Sequence, residues 1–241
     1  MKTVIMYSDG ACSGNPGRGG WATILGLPNN KVIELGGGRA MTTNNQMELQ
    51  GLIEGLHYLK DISFDQIIYY TDSSYVLNGA TKWLKGWAFR GWKNGEGKDV
   101  ANKEFWQALQ RQLSDLGDKK IKWNYVRGHS GVSGNERCDE IAVCFSTGKY
   151  VDLYEGDNAH YGFDMFEVPK TEPIPDTSFK KKESSEANYY LSLKNGVLER
   201  HKTWAECEQR VKGASGAKFK KVKSQAEEAE VLKGWGYADK K

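Results

Sequence analysis

The sequence predicts an α/β fold in which helices flank a mixed five-stranded sheet, with a small α+β module towards the C-terminal end. Three strand-like stretches come first, at residues 3–9, 21–27 and 31–37, and turns rich in Gly, Asn and Pro join them. Helical and strand patterns alternate after residue 45. Consecutive strands followed by such an alternation are typical of a mixed sheet with helices on its faces.

The other elements of this first region follow from the spacing of apolar residues. Residues 45–60 repeat apolar side chains at helical spacing, and residues 102–116 do the same. Further helices are predicted at residues 75–84 and 135–146, and the last two strands at residues 66–71 and 121–126. We therefore expect one domain over residues 1–150.

The composition changes after residue 150 and indicates a linker over residues 151–187. Aromatic residues between Tyr154 and Phe166 predict that the first part of it, residues 151–168, packs on the preceding domain. Prolines, a lysine run and serines then follow, a composition typical of an extended, flexible connection.

A second domain is expected over residues 188–236. It begins with a strand that Asn195-Gly196 turns into a hairpin. Thr203 is placed to cap a helix, and a further strand and helix complete the pattern. This order of strands and helices predicts a small α+β module.

Composition excludes several classes of protein. No apolar run is long enough to cross a bilayer, and the chain opens on a strand-like stretch without a signal segment, so we expect no membrane partner and a cytoplasmic location. The four cysteines form no Cys-x-x-Cys pair, which argues against a zinc site and against a disulfide framework.

Charge is distributed unevenly along the chain. Residues 180–241 carry 15 Lys/Arg and 9 Asp/Glu, whereas residues 1–179 carry 19 Lys/Arg and 22 Asp/Glu. A basic C-terminal part on a mildly acidic body indicates a polyanionic partner held mainly by that part, although basic surfaces also serve solubility alone.

Four acidic residues have contexts that point to a shared site. Asp9 and Asp72 each follow an apolar strand, Glu48 lies at the start of a helix, and Asp139 lies in the last helix of the first domain. Any one of them could be a helix cap or a solvated charge. Together they are placed to converge at one edge of the sheet, and clustered carboxylates repel one another unless a hard divalent cation lies among them.

The motifs around these residues resemble those of the type 1 ribonucleases H, which cut the RNA strand of an RNA–DNA hybrid. The matching segments are Tyr7-Ser8-Asp9-Gly10, Gly14-Asn15-Pro16-Gly17, Thr42-Thr43-Asn44-Asn45 through Glu48, Thr71-Asp72-Ser73, Val126-Arg127-Gly128-His129 and Asn135-Glu136-Arg137-Cys138-Asp139. Residues 188–236 are similar to the hybrid-binding domain that many members carry at the N-terminus, through Lys202–Cys207, Gly216–Lys221 and Glu227–Ala229.

The resemblance implies a ribonuclease H-like fold and an endoribonuclease that uses two Mg²⁺ ions, which Mn²⁺ can replace, and no small-molecule cofactor. Asp9 would bridge the ions, with Glu48 and Asp72 on one side and Asp139 on the other. His129, in a glycine-rich loop, would help to move a proton. The products would carry 5′-phosphate and 3′-hydroxyl ends, and the expected tasks are removal of RNA primers and R-loops by a monomer.

The same resemblance implies where the hybrid binds. Asn15, Asn44 and Asn45 would reach the minor groove, where the ribose 2′-hydroxyl distinguishes RNA from DNA. The other expected contacts in the first domain are Cys12, Thr43, Ser73, Trp87 and Asn135, with Trp87 against deoxyribose. In the second domain they are Trp204, Phe219, Lys220 and Lys221, where aromatic faces stack and lysines neutralise phosphates. Trp204 could instead be the core of a small domain.

Two other classes remain open on the residues alone. A protein that binds hybrids or double-stranded RNA without cutting would have no need of all four carboxylates. A junction resolvase or integrase would share the superfold but would lack the Gly14–Gly17 and Thr43–Asn45 segments and the attached module. Rapid cleavage of duplex DNA would favour that last class.

Overall fold

A six-stranded mixed sheet organises the first part of the chain. In spatial order the strands are β5-β4-β1-β2-β3-β6, and their bounds are β1 Thr3–Ser13, β2 Gly17–Gly26, β3 Lys31–Thr42, β4 Gln66–Thr71, β5 Lys120–Tyr125 and β6 Glu155–Asp157. The strands β1, β4 and β5 run parallel, and the other pairings are antiparallel. The mixed sheet with flanking helices is confirmed, and β6 is an addition that the strand patterns did not predict.

The computed structural model describes residues 1–117, 119–175, 189–222 and 225–237. Its chain divides into two compact units, residues 1–178 and residues 179–241. In the described part, no helix is long and apolar enough to span a bilayer.

Five α-helices belong to the first unit: α1 Asn44–Tyr58, α2 Ser74–Asn78, α3 Leu84–Phe89, α4 Lys103–Asp115 and α5 Ser133–Thr147. Thr43 begins α1 with a capping box, in which its hydroxyl accepts from the Gln46 amide and the Gln46 side chain returns to the Thr43 amide. The helix expected at residues 75–84 is divided, because Gly79–Trp83 forms a π-helical turn between α2 and α3.

The two faces of the sheet carry separate apolar cores. On one face, α1 and α4 cover a cluster that includes Leu52, Leu56 and the fully buried Trp106. On the other face, α5 covers a cluster that includes Ile24 and Ile141, together with Met165 from the segment after α5. The helices thus hold the central strands rigidly between two layers, and the ends of those strands carry the acidic residues.

The second unit is a three-stranded antiparallel sheet in the order β8-β7-β9, with two helices. Its elements are β7 Tyr189–Lys194, β8 Val197–His201, α6 Trp204–Val211, β9 Lys218–Val222 and α7 Gln225–Trp235. Asn195 and Gly196 form the hairpin turn, both with positive φ. Thr203 caps α6 through a capping box with Glu206. The buried apolar residues in the described part of this unit are Leu191, Cys207 and Val222.

Candidate active site

The register of two parallel strands brings Asp9 and Asp72 together. In the pairing of β1 with β4, Tyr7 lies opposite Tyr70. Asp9 and Asp72 each lie two residues beyond that pair, so they reach the same edge of the sheet on neighbouring chains. Asp9 is nearly buried, and its Oδ1 accepts a hydrogen bond from the Gly10 amide at 2.7 Å.

Glu48 approaches this edge because α1 packs directly on β1. A Cβ atom on Gly10 would lie 2.2 Å from the Glu48 amide nitrogen, so only glycine lets the two backbones come so close. The Glu48 carboxylate accepts hydrogen bonds from Ser73 Oγ at 2.5 Å and from Asn44 Nδ2 at 3.0 Å. Ser73 also caps α2, accepting from the Val76 amide, so α1 and α2 are tied together at the site.

Helix α5 contributes Asn135 and Asp139, which are four residues apart and therefore lie on one face. Asn135 is buried and donates from Nδ2 to Asp72 Oδ2 at 3.1 Å. Its Oδ1 is buried as well and has no hydrogen-bond partner among the described residues. His129 is exposed in the loop before α5, with φ 53°. It lies near enough to Asp139 for its positive charge to oppose the rise in the pKa of that carboxyl group.

The electrostatics of the four carboxyl groups show that they act on one another. Burial, followed by repulsion from Asp72, raises the pKa of Asp9 to about 8, and Glu48 and Asp139 add to the repulsion. Burial also raises the pKa of Glu48 to about 7, although the hydrogen bond from Ser73 opposes the shift. The pKa of Asp139 is raised, again chiefly by burial. Such mutual repulsion is expected of a site that is completed by cations.

The donors fit a hard divalent cation whose coordination is completed by water and substrate. Among the described residues, no three His, Cys, Asp or Glu side chains are grouped closely enough to hold an ion by themselves. Mg²⁺ in proteins commonly takes only one or two carboxylates and keeps several waters or phosphate oxygens. Raised pKa values and the partnerless Oδ1 of Asn135 are consistent with such a partly open, all-oxygen site.

Gly128 determines how close the loop before α5 comes to Asp72. A Cβ atom at this position would lie 2.5 Å from Asp72 Oδ2. We expect Gly128→Ala to displace the Asp72 carboxylate and to lower kcat/KM by about ten- to a hundredfold, because small misplacements of a reacting group are costly. Steady-state kinetics on a labelled hybrid measure the effect. Gly95→Ala, in open space, is the matched control; equal activity of the two variants would contradict the prediction.

The substrate-binding residues expected around the start of α1 do lie close together. Asn15 Oδ1 accepts from the Asn44 amide at 3.3 Å, and Asn45 is exposed in the same first turn. Thr43 is the N-cap of α1, which accounts for that residue structurally. Cys12 is half-buried on β1, with Sγ 3.4 Å from the Thr42 carbonyl oxygen. These placements leave a polar, amide-rich surface beside Glu48.

The aromatic residues of α3 divide into packed and exposed side chains. Trp87 is half-buried, and its ring packs on Trp83 and on Trp106, with centroids 5.5 Å and 5.3 Å apart. Phe89, which the sequence did not single out, is 93% exposed at the end of α3. Trp87 is therefore tied into the core that α4 covers, and only part of its surface is open to a ligand.

In the second unit, three aromatic rings form one row, in which Trp204 and Phe219 are exposed and Tyr190 is half-buried. Trp204 packs between Tyr190 and Phe219 at centroid distances of 5.5 Å and 5.2 Å, with its ring tilted by 52° to each. Lys221 pairs with Tyr190 across the sheet, and its Nζ lies 5.9 Å from the ring centroid. Lys220, the next residue along β9, is exposed and falls on the opposite side by strand alternation. Tyr190 was not predicted, although its position beside buried Leu191 in an alternating strand could have indicated an outward aromatic.

The fold and the acidic edge of the sheet indicate a nucleic-acid hydrolase, and comparison with known proteins specifies the family. A model described as RNase H matches residues 1–146, and one described as the Ribonuclease H1 N-terminal domain matches residues 196–230. The chain belongs to the ribonuclease H family and is a ribonuclease H enzyme. Its second matched segment follows the first in the chain.

Individual relatives agree over the first unit. The chain is 48% identical over 148 residues to the ribonuclease H of Cyanothece sp. (strain PCC 7425), covering 61% of this chain and 92% of that protein. It is 50% identical over 142 residues to the ribonuclease H of Cupriavidus pinatubonensis, covering 59% and 94%. Among solved structures, LC9-RNase H1, described as a type 1 RNase H with the type 2 active-site motif, matches with a TM-score of 0.55 at 28% identity, covering 65% of this chain and 78% of that one.

Proposed function

We propose that the chain is a type 1 ribonuclease H that hydrolyses the RNA strand of RNA–DNA hybrids by two-metal-ion catalysis, with its hybrid-binding domain at the C-terminal end. The observation that carries the proposal is the meeting of Asp9, Glu48, Asp72 and Asp139 at one sheet edge. The other three carboxylates all help to raise the pKa of Asp9, and Asp72 also helps to raise the pKa of Glu48 and Asp139. Membership of the ribonuclease H family supports the same substrate class.

The four carboxylates would hold two Mg²⁺ ions, or Mn²⁺ in their place, with Asp9 shared between them. When bound, such ions supply an activated water and neutralise charge on the leaving 3′ oxygen. The protein's own part is orientation: Ser73 and Asn44 hold the Glu48 carboxylate, and Asn135 holds Asp72. Products with 5′-phosphate and 3′-hydroxyl ends would follow if water attacks the phosphorus opposite the 3′ oxygen and the P–O3′ bond breaks.

His129 is proposed to move a proton near the leaving group. It is exposed, and its left-handed backbone lies in a loop with Gly128 and Gly131, where backbone change is inexpensive. Its electrostatic effect on Asp139, which opposes the rise in the pKa of that carboxyl group, places His129 in the neighbourhood of the acidic residues. A helper of this kind is expected to affect rate more than binding.

Discrimination of RNA from DNA is proposed to rest on the amides beside Glu48. Asn15, Asn44 and Asn45 present side-chain and main-chain donors and acceptors at the start of α1. The ribose 2′-hydroxyl both donates and accepts, so it can pair with such groups, which deoxyribose cannot. Cys12 and Thr43 would line the same groove, and the exposed part of Trp87 would contact the DNA strand.

The second unit is proposed to bind the hybrid through its aromatic row and its lysines. We expect Trp204→Ala and Phe219→Ala each to weaken hybrid binding about five- to fiftyfold, since stacking on one aromatic side chain contributes about 1–3 kcal/mol. Fluorescence anisotropy with a non-cleaved hybrid in EDTA measures this. Val197→Ala, which removes a half-exposed apolar side chain from β8, is the matched control; an equal loss in all three variants would refute the assignment.

The function is tested by incubating the protein with Mg²⁺ and four substrates of one sequence: an RNA–DNA hybrid, duplex RNA, duplex DNA and single-stranded RNA. One strand of each substrate carries a 5′ label, which in the hybrid is the RNA strand, and end-group analysis follows. We expect cleavage of the hybrid alone, giving 3′-hydroxyl ends. Binding without cleavage would leave a hybrid-binding protein, and equal cleavage of duplex DNA would favour a resolvase-like nuclease. Primer removal and R-loop clearance by a cytoplasmic monomer are the tasks proposed for this activity.

A further inference from the structure

Residues 150–175, here called the strap, extend the first unit beyond the ribonuclease H match. The family match ends at residue 146, whereas the compact unit continues to residue 178. Met165 in the strap is fully buried in the core under α5, and the partly buried Tyr154, Tyr161, Phe163 and Phe166 pack against the same core. The strap is therefore part of the folded unit.

The strap crosses from one edge of the sheet to the other. Near its start, β6 pairs with the edge strand β3. Near its end, the Glu172 amide donates to the Tyr125 carbonyl at the end of β5, at 3.0 Å. Beyond that, the Pro175 carbonyl accepts from Asn78 Nδ2 of α2 at 2.8 Å. The strap thus reaches the C-terminal end of α2 and the end of β5, where Tyr125 pairs with Thr71, the residue before Asp72.

The firmest attachment of the strap is a buried carboxylate on β3. The Glu34 side chain is fully buried and receives four hydrogen bonds. Arg137 donates from Nε and Nη2 at 2.8 Å and 2.9 Å, the Tyr161 hydroxyl donates at 2.5 Å, and the Tyr154 amide donates at 3.0 Å. A charged group with this many donors is held firmly, because each charge-assisted bond is stronger than a neutral one.

Arg137 connects this carboxylate to the candidate active site. It lies on α5 between Asn135, which holds Asp72, and Asp139. Its Nη2 also donates to the Asp152 carbonyl of the strap at 2.9 Å. Further along, residues 163–164 and 167–170 of the strap line a cleft of about 270 Å³ together with residues 130–132 of the loop after His129 and residues 133–134 at the start of α5. Helix α5, which carries Asn135 and Asp139, and the loop that carries His129 thus both lie against the strap.

We propose that the strap is a positioning element for the active site, in which Tyr161 acts through Glu34 and Arg137 to hold the first half of α5 in place. The inference deepens the proposed function and rests on it for its kinetic consequences. Tyr161 is a positioning residue. Its hydroxyl bonds to Glu34 and to none of the four proposed metal ligands in the described part of the chain, and it acts by fixing the helix that carries Asn135 and Asp139.

The test compares Tyr161→Phe with Tyr150→Phe in the full chain. Both variants keep the ring and remove one hydroxyl, but Tyr150 is 85% exposed, and its hydroxyl contacts only Asp152 among the hydrogen bonds described. We expect Tyr161→Phe to lower kcat about three- to tenfold and to raise the half-activating Mg²⁺ concentration by a similar factor, with KM for the hybrid within about twofold. Tyr150→Phe should match the wild type.

Amide hydrogen exchange of the metal-free proteins supplies a readout that needs no activity. Faster exchange in residues 133–139 of Tyr161→Phe, at a temperature well below unfolding, would support positioning of α5. Faster exchange confined to residues 150–166, with unchanged kcat and Mg²⁺ dependence, would overturn the inference and leave a purely structural strap. A wild-type protein that does not cleave hybrids would refute the proposed function, while the exchange comparison would still decide whether Tyr161 holds α5.

Discussion

Replacing Asp72 by Asn is expected to reduce hybrid cleavage about a thousandfold or more while leaving the fold intact. Asp72 lies at the centre of the acidic edge, since its charge acts on Asp9, Glu48 and Asp139. Asparagine keeps the shape and can still bond to Asn135, but it removes the negative charge that would attract a divalent cation. Stabilisation of transition-state charge by a metal contributes several kcal/mol, and each 1.4 kcal/mol is a factor of ten in rate.

Single-turnover cleavage of a labelled hybrid by Asp72→Asn, beside the wild type, measures this loss. Asp61→Asn makes the same chemical change at an exposed position outside the site and should retain wild-type activity. Hybrid affinity in EDTA should be unchanged in both variants, because the second unit is proposed to supply much of the binding. A variant that keeps more than about a tenth of the activity would remove Asp72 from the proposed metal site.

The metal-free protein is expected to lose stability as the pH rises, and Asp9→Asn is expected to prevent much of that loss. Burial and repulsion raise the pKa of Asp9 to about 8 in the folded protein, whereas an unfolded Asp titrates near 3.9. Between these two pH values the folded state binds the Asp9 proton more tightly than the unfolded state does. The stabilisation of the folded protein by this proton is therefore complete below about pH 4 and disappears as the pH rises through about 8. Glu48, with a pKa of about 7, contributes in the same direction.

Calorimetry in EDTA at pH 5.5 and pH 8.5 tests this prediction on the transition of the first unit. At pH 8.5, Asp9→Asn should be more stable than the wild type by roughly 2–4 kcal/mol, less than the full 1.4 kcal/mol per pKa unit because relaxation relieves part of the repulsion. The difference should shrink at pH 5.5. Added Mg²⁺ should stabilise the wild type more than the variant. Equal stability of the wild type and the variant at both pH values would mean that the pKa of Asp9 is not raised in the folded protein.

Much of the fold was predictable because it rests on local signals. The spacing of Met47, Leu49, Leu52 and Leu56 predicts α1, although the capping of that helix by Thr43 was not predicted. The Asn195-Gly196 turn predicts the β7–β8 hairpin through its need for positive φ. The division of the 75–84 helix was not predictable in this way, because the π-helical turn accommodates Trp106, whose ring would lie 1.9 Å from a Cβ atom on Gly79. That contact joins residues far apart in the chain.

The members of the candidate site are a prediction from sequence motifs, whereas the contacts that hold them in place could not be predicted from the sequence. The motifs around Asp9, Glu48, Asp72 and Asp139 select the carboxylates, and the strand ends indicate that they converge. The bond from Asn135 to Asp72 and the approach of Gly128 need the relative position of α5 and β4, which only packing sets. Trp87 illustrates the same limit of prediction from sequence. A Trp beside lysines is typical of a surface residue that contacts nucleic acid, and only the structure shows that Trp83 and Trp106 pack against it.

The sequence by itself determined the family, and it predicted the four acidic residues and the division into a ribonuclease H region and a small C-terminal module. These depend on residue identity and on patterns within a few residues, where steric and capping preferences act directly. Tertiary structure decided the course of the strap, the burial of Glu34 beneath Arg137 and Tyr161, and the raised pKa of Asp9. Burial and electrostatic coupling are sums over neighbours brought together by folding, so no local stretch of sequence contains them.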